Sequence, residues 1–581
     1  MGADQTSHLS SENLELLLDR ERVDRAKWLD DLQIIRWRPC NVRVLVVADG
    51  LDFDPTNGFG LTTFVRALLD MPGSYVRFAI TLAHLDDIEP DSVEMMPGET
   101  RIAARIPNFK FDVAAHFAPD RFDVIFLFGI DSFYSRGAGY PADSLSDAEL
   151  QAIAEFQNGG GGLFATGDHG SLGKAMCHKV ARARGMRLWD STSAQNEDDQ
   201  VSMDGPRRND TNRRGDATSE FDDQSDDIPQ TISPVFYSRR NGIFRYTFPH
   251  PLLCSPTGPI RVMPDHPHEG QCALPEDVEA TIDYTASLGP EYPPASDGGA
   301  RPLPEIISYN TVLPGTTSGG KDPTISQTFA GICAYDGHRA GVGRVVTDST
   351  WHHFVNINLV GIPTKPVGDP KRLGFLASPT GQAHFEAIKT YYRNLAVWLS
   401  PPERIQCMNS HFLWWIVQRE RVLEAVLTAR AIGLEKVDTR TLSLIGRHAR
   451  DVLGRYAGPC QSMRVIIDLL QARPELVKEI DPWIPRDAKL RDLERVEDGE
   501  ELPLVDLQPM LEAVLGGALV AIGEAFPKPV RKEAESFRGD EVLSIATRGA
   551  EVAIARAERS LEVTLGKAGR ALLRGGGAEA M

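Results

Sequence analysis

A succession of short apolar runs, each closed by a turn and followed by a helical pattern, constrains this chain more than any other feature of its 581 residues. "VRVLVVADG" (42–50), "YVRFAITLAHL" (75–85), "FDVIFLFGID" (122–131) and "GGGGLFATGDHG" (159–170) read as strands, and "LTTFVRALLDM" (61–71), "SDAELQAIAEFQN" (146–158) and "SLGKAMCHKVARARG" (171–185) as helices. Apolar runs alternating with helices predict a three-layer α/β domain around a mostly parallel sheet. Ser146 and Glu149 have capping-box spacing. In such sheets the ligand crevice lies at the carboxyl ends of the strands. Asp49, Asp131, Asp168 and His169 all fall at such ends.

From about 190 to 324 the pattern gives way to Asp, Arg, Gly and Pro, which predicts a long, partly mobile insertion lying over the sheet, of the kind that often serves as a lid. The sheet resumes at "GVGRVVTDSTWHHF" (341–354), and "GQAHFEAIKTYYRNLAVWL" (381–399) reads as a closing helix. Beyond "SPPE" (400–403) only helical periodicity remains. The expected organisation is therefore an N-terminal helical segment over 1–40, an α/β domain over 41–400, and a separately packed all-α domain over 401–581 that offers a surface for self-association. Its most apolar run, "AVLGGALVAIG" (513–523), is shorter than the ~20 residues a membrane span needs and reads as a buried helix. No membrane partner is expected.

Acidic residues outnumber basic ones by 81 to 62, for a formal charge of −19, which disfavours nucleic acid as a partner. The 7 cysteines include no C-x-x-C pair, a usage that fits a reducing cytoplasm. The N-terminus lacks an apolar signal core.

Three windows combine carboxylates with imidazoles: "GDHG" (Asp168, His169), "PDHPHEG" (Asp265, His266, His268, Glu269) and "DSTWHHFVN" (Asp348, His352, His353, Asn356). With His178, they gather six of the 14 histidines. Imidazole with carboxylate suits a divalent transition metal, Zn, Mn or Fe, and such an ion makes a nucleophile of its bound water near neutral pH. The candidate ligands are His169, His266, His268, His353 and Asp265. The metal-free alternative makes one histidine a general base oriented by a carboxylate, with His169, Asp168 and His352 as the candidate catalytic residues. Two other motifs carry less. "LDFDPTNGFGLTTF" (51–64) lacks the glycine position and closing Glu of an EF-hand. Its "NGFGLTT" could hold an anion at a helix start, although a turn with a Thr cap is the commoner use of such residues.

The run "GGGGLFATGDHGS" (159–171), followed far downstream by "GRVVTDSTWHHF" (343–354), resembles the trehalose-utilisation (ThuA-like) branch of the class I glutamine amidotransferase-like superfamily. The likeness covers about 41–400 without the insertion. It implies a flavodoxin-like sheet, with His169 at the nucleophile-elbow position and His352 or His353 at the position of the amidotransferase histidine. The elbow has no Cys, Cys177 lies within the following helix, and Phe354 and Val355 stand where a His-x-Glu pair would need its acid. Glutaminase activity is therefore not expected. The His/Asp crevice, with or without a metal, makes the first reading a hydrolase-like enzyme, and the resemblance implies its substrate class, a small polar, sugar-like molecule. Two other readings stand beside it: a non-catalytic ligand-binding or sensing module coupled to the helical domain, and an assembly protein in which the α/β domain is a relic.

Overall fold

The structure, a computed structural model, describes residues 39–71, 75–85, 102–129, 136–167, 173–189, 230–241, 244–264, 270–282, 289–312, 314, 325–367, 372–471, 473–484, 507–526 and 539–575. The expected N-terminal helix lies outside these residues.

Fourteen strands are described: β1 (Cys40–Ala48), β2 (Val76–His84), β3 (Ile102–Ile106), β4 (Val124–Gly129), β5 (Gly162–Gly167), β6 (Gln230–Pro234), β7 (Phe236–Asn241), β8 (Phe244–Pro249), β9 (Cys254–Ser255), β10 (Gly258–Pro259), β11 (Val262–Met263), β12 (Glu305–Val312), β13 (Gln327–Tyr335) and β14 (Val345–Asp348). Ten form one sheet, in the order β11-β6-β12-β13-β14-β5-β4-β1-β2-β3. It is parallel from β14 to β3 and antiparallel from β13 to β11. The chain leaves β1 in one direction towards β3 and returns to β4 on the other side. The topological switch point, where sheets of this kind open a crevice, thus lies between β1 and β4.

The apolar runs are continuous because both faces of the sheet are covered. Along β1, Val42, Val44, Val46 and Ala48 enter one core and Leu45 and Val47 the other. The helices of this region are α1 (Thr62–Leu69), α2 (Asp147–Asn158), α3 (Lys174–Cys177), α4 (Asn356–Leu359) and α5 (Pro379–Leu399). α1 and α5 bury Phe64, Leu68, Tyr391 and Leu395 in the first core, and α2 and α3 bury Ile153, Phe156 and Met176 in the second. The three-layer α/β arrangement is as expected. The capping box also forms: Ser146 Oγ accepts from Glu149 N, and the Glu149 carboxylate accepts from Ser146 N.

Two expectations need correction. The helix expected over 171–185 shrinks to the four residues of α3. Beyond it the backbone is held by tertiary bonds instead: Arg182 sits at φ 66, its N–H donates to Glu291 Oε1, and Tyr292 OH donates to its carbonyl at 2.8 Å. The insertion, expected to lie over the sheet, extends it through β6, β11 and β12 among the described residues. These strands are antiparallel, β6 and β11 are short, and none carries a sustained β-branched run, so pattern alone hid them.

From residue 402 the elements among the described residues are all helices: α6 (Pro402–Val417), α7 (Glu420–Ile432), α8 (Thr439–Ala457), α9 (Pro459–Leu469), α10 (Pro474–Ile480), α11 (Gln508–Ala525) and α12 (Gly539–Gly575). Their own core begins at Phe412. α11 contains the "AVLGGALVAIG" run and is buried along most of its length. Among the described residues no helix is long and apolar enough to cross a membrane. Of the cysteines, Cys40 is bonded to Cys407, and Cys177, Cys254, Cys272, Cys333 and Cys460 are free and buried.

α8 and α11 cross backbone against backbone. A Cβ on Gly446 would lie 1.7 Å from the Glu512 carbonyl oxygen, and one on Gly516 would lie 1.9 Å from that of Leu442. Gly516→Ala is therefore expected to destabilise the chain by about 1 to 3 kcal/mol in denaturant unfolding, since one helix must move away from the other. Gly454→Ala, on α8 with open space around it, is the control. It should be neutral or stabilising by up to about 1 kcal/mol.

Candidate functional site

The site is built where β14 ends. β14 is fully buried between β13 and β5 and delivers Asp348 to the carboxyl edge of the sheet. Immediately afterwards Thr350 Oγ1 accepts from His352 N at 3.1 Å and starts a single 3-10 turn over Trp351–His353. That turn folds His353 back towards the strand end. His353 Nδ1 lies 2.8 Å from Asp348 Oδ1, and Tyr391 OH on α5 donates to Oδ2 at 2.8 Å. Tyr392 OH donates to the carbonyl of His353. The imidazole nitrogen thus comes within ion-pair distance of a fully buried carboxylate. Burial, followed by the Asp348 charge, pushes the Tyr391 phenol well above its ordinary range, so it stays a donor.

His352 points elsewhere: its Nδ1 is 3.4 Å from Asn358 Oδ1, and its ring stacks on Trp351 at 4.3 Å. Trp351 in turn meets the half-exposed ring of Phe59 at 5.5 Å. Asn356, the last member of the window, reaches α1. Its Oδ1 accepts from Thr63 N and Oγ1 at 2.9 and 2.6 Å, and its Nδ2 donates to Asn57 O at 3.0 Å. The helix-start N–H that an anion would have used is therefore taken by a side chain of this chain. The acidic residues of the same loop are spent on turns, with Asp54 N bonded to Asp52 Oδ1 and Thr56 N to Asp54 Oδ1.

Asp168, His169, Asp265, His266 and His268 lie outside the described residues, as does Asp131, but their immediate neighbours do not. Gly167 ends β5 one residue before Asp168, Gly270 follows Glu269, and Ser349 follows Asp348. All three meet at Arg187. Its buried guanidinium donates to Gly167 O and, at 2.9 Å, to Ser349 O. Gly270 packs so closely on the same group that a Cβ there would lie 2.2 Å from Arg187 Nη2 and 2.3 Å from Ser349 O. Arg187 therefore joins the flanks of the three histidine windows.

Further along the edge, Asp49 and His84 leave β1 and β2 fully buried, with the His84 ring 5.3 Å from that of Phe53. Asp49 stands at the switch point. Cys177 is fully buried, and burial, followed by the Asp49 charge, pushes its thiol well above the ordinary range. Beside Arg187 a cavity of about 860 Å³, lined in part by Trp189, Gln271, Tyr309 and Phe329, is of the size that takes a small molecule.

Arg187, Tyr391 and His84 were not singled out in the sequence. The strand-end argument applied to Asp49 would have found His84, whereas nothing marks Arg187 in "GMRLW" or Tyr391 in the closing helix. Among the described residues the one group of three His, Cys, Asp or Glu ligand atoms within mutual reach of a metal is Cys40, Cys407 and His411, away from this edge. No protein-family model, no curated protein and no solved structure matches the chain.

Proposed function

We propose that the carboxyl edge of the sheet is the active site of a hydrolase-like enzyme of the ThuA-like kind. In this reading His353 is the general base or a metal ligand, and the substrate is a small polar, sugar-like molecule. The observation that carries the reading is the His353–Asp348–Tyr391 array beside the Arg187 junction. Asp348 is placed to orient the imidazole, as carboxylates do for catalytic and metal-bound histidines alike. Five of the six parallel strands, β2-β1-β4-β5-β14, follow the 2-1-3-4-5 order of a flavodoxin-like sheet, and β3 adds a sixth beyond β2. His169 and the "PDHPHEG" loop are the proposed further contributors of imidazole, because the residues flanking them meet the Asp348 strand end at Arg187. With a Zn, Mn or Fe ion present, these residues would supply nitrogen and carboxylate ligands, and the ion would activate a water. Without one, His353 takes the proton from water itself. The absence of a cysteine elbow keeps glutamine hydrolysis out of this reading.

The test is metal analysis of protein purified without a His-tag, together with thermal melts in added Zn or Mn and a screen of small polar esters and glycosides. His353→Ala is expected to lower any hydrolytic rate by about 10² to 10⁴. It should also remove whatever gain in melting temperature the metal gives the wild type by mass action. A wild-type protein that binds no metal, turns over none of these substrates and is unchanged by His353→Ala would refute the reading.

A further inference from the structure

We infer that Cys40, Cys407 and His411 form a redox-gated metal site, closed as a disulfide and able, once reduced, to hold one zinc-like cation at the junction of the sheet and the helical region. Cys407 and His411 stand four residues apart on α6 and so share one face of that helix. That face meets the first residue of β1, Cys40. The three ligand atoms lie within 4.8 Å of one another, and the two cysteine Cα atoms are 6.0 Å apart. A tetrahedral zinc ion bonded to sulfur at about 2.3 Å and to nitrogen at about 2.0 Å sets its ligand atoms roughly 3.5 to 3.8 Å apart. The constellation therefore needs only local adjustment to hold the ion. Two thiolates with an imidazole select a soft or borderline cation over Mg or Ca, and three protein ligands leave a fourth position for water.

The chemistry is closed by a dithiol of the thioredoxin class. Its two thiols carry two electrons and two protons to the Cys40–Cys407 bond, so Cys40 and Cys407 become thiols and the donor becomes a disulfide. Zinc then displaces both thiol protons on binding. The same junction is clamped by Asp123, which takes Arg43 Nη2 at 2.8 Å and Arg404 Nε at 3.2 Å, and by the rings of Tyr75 and Phe412, 3.9 Å apart. These contacts keep β1 and α6 together while the covalent link is exchanged for a metal link. This site shares no residue with the proposed active site and does not rest on that reading.

The full chain, reduced with a phosphine and freed of reductant under anaerobic conditions, is titrated with Co²⁺ and then Zn²⁺. The expected result is a thiolate-to-cobalt charge-transfer band that saturates at one ion per chain and is bleached by Zn²⁺. Zinc should also protect Cys40 and Cys407 from alkylation in the reduced wild type. Oxidised protein should show no such band. A histidine and carboxylate centre at the sheet edge has no thiolate, so it cannot give the band. His411→Ala should weaken cobalt binding at least about tenfold, and Cys407→Ser should abolish the band. Reduced wild-type protein without the band, an equal band in Cys407→Ser, or alkylation of Cys40 and Cys407 that is indifferent to zinc would each overturn the inference.

Discussion

Asp348→Ala is expected to remove about 3 to 5 kcal/mol of stability, as breaking a buried, hydrogen-bonded charged array from one side does. Asp348 is fully buried, and both of its oxygens are hydrogen-bonded, Oδ1 by Thr350 N and Oδ2 by Tyr391 OH, with His353 Nδ1 2.8 Å from Oδ1. Alanine strands the Thr350 N–H and the Tyr391 hydroxyl at once and takes the carboxylate away from His353, and neither donor can turn to water without moving β14 or α5. Asp348→Asn keeps the shape and an acceptor oxygen but puts an N–H₂ on one side. It should cost about 1 to 3 kcal/mol, the penalty of one mismatched buried pair. Tyr391→Phe removes one donor and leaves Asp348 Oδ1 fully served, so its cost should be similar. Guanidinium unfolding of the three variants orders them. If Asp348→Ala is no worse than Tyr391→Phe, the carboxylate does not organise this strand end. The stability effect also guides the functional test: Asp348 variants mix folding with chemistry, whereas Tyr391→Phe perturbs the same array more gently.

What the sequence disclosed follows from how each element is stabilised. β1, β2, β4, β5 and β14 are buried on both faces, so their apolar runs were legible and the end of β1 named Asp49 as an edge residue, whereas Asp348 was marked by the histidines that follow it. The capping box at Ser146 was legible because it is a local bond between residues three apart. The antiparallel extension was not. β12 has alternating surroundings with Tyr309 exposed, and β11 is two residues long, so each is defined by its neighbour and not by its own pattern. The partner of His353 was sought two residues downstream, where amidotransferases carry it. Here Asp348 precedes the histidine by five residues, and the turn capped by Thr350 brings the two together. Arg187 and Tyr391 act from 20 to 162 positions away along the chain, on Gly167, Ser349 and Asp348. No local pattern records such distances.

The chain is also expected to lose stability steeply as the pH falls from about 6 to 4.5, and buried histidines remote from both proposed sites explain why. Burial holds the His250 imidazole down at about 3 and drives that of His338 well below the usual 6.5. Both face Asp336, Arg344 and Arg464, and the His250 ring also lies 5.1 Å from that of Trp398. In the unfolded chain each takes up a proton as the pH drops through about 6.5, whereas in the folded chain His250 takes one only near 3. The unfolded state thus binds more protons throughout this window, which makes the stability contribution present above about 6.5 and progressively lost below it. The slope is about 1.4 kcal/mol per pH unit for each histidine, or close to ~3 for the two. Asp336 acts in the same direction only at lower pH. Against the opposing effect of its burial, Arg344 and His338 hold its carboxyl below the usual 3.8. His250 Nδ1 accepts from Leu252 N at 3.3 Å, a role that an asparagine oxygen can fill at a helix start. His250→Asn should therefore keep the fold at pH 7 and reduce the slope between pH 6 and 4.5 by about 1.4 kcal/mol per pH unit. Urea unfolding at intermediate pH values measures it, and an undiminished slope in the variant would show that His250 is not among the groups that make the fold acid-labile.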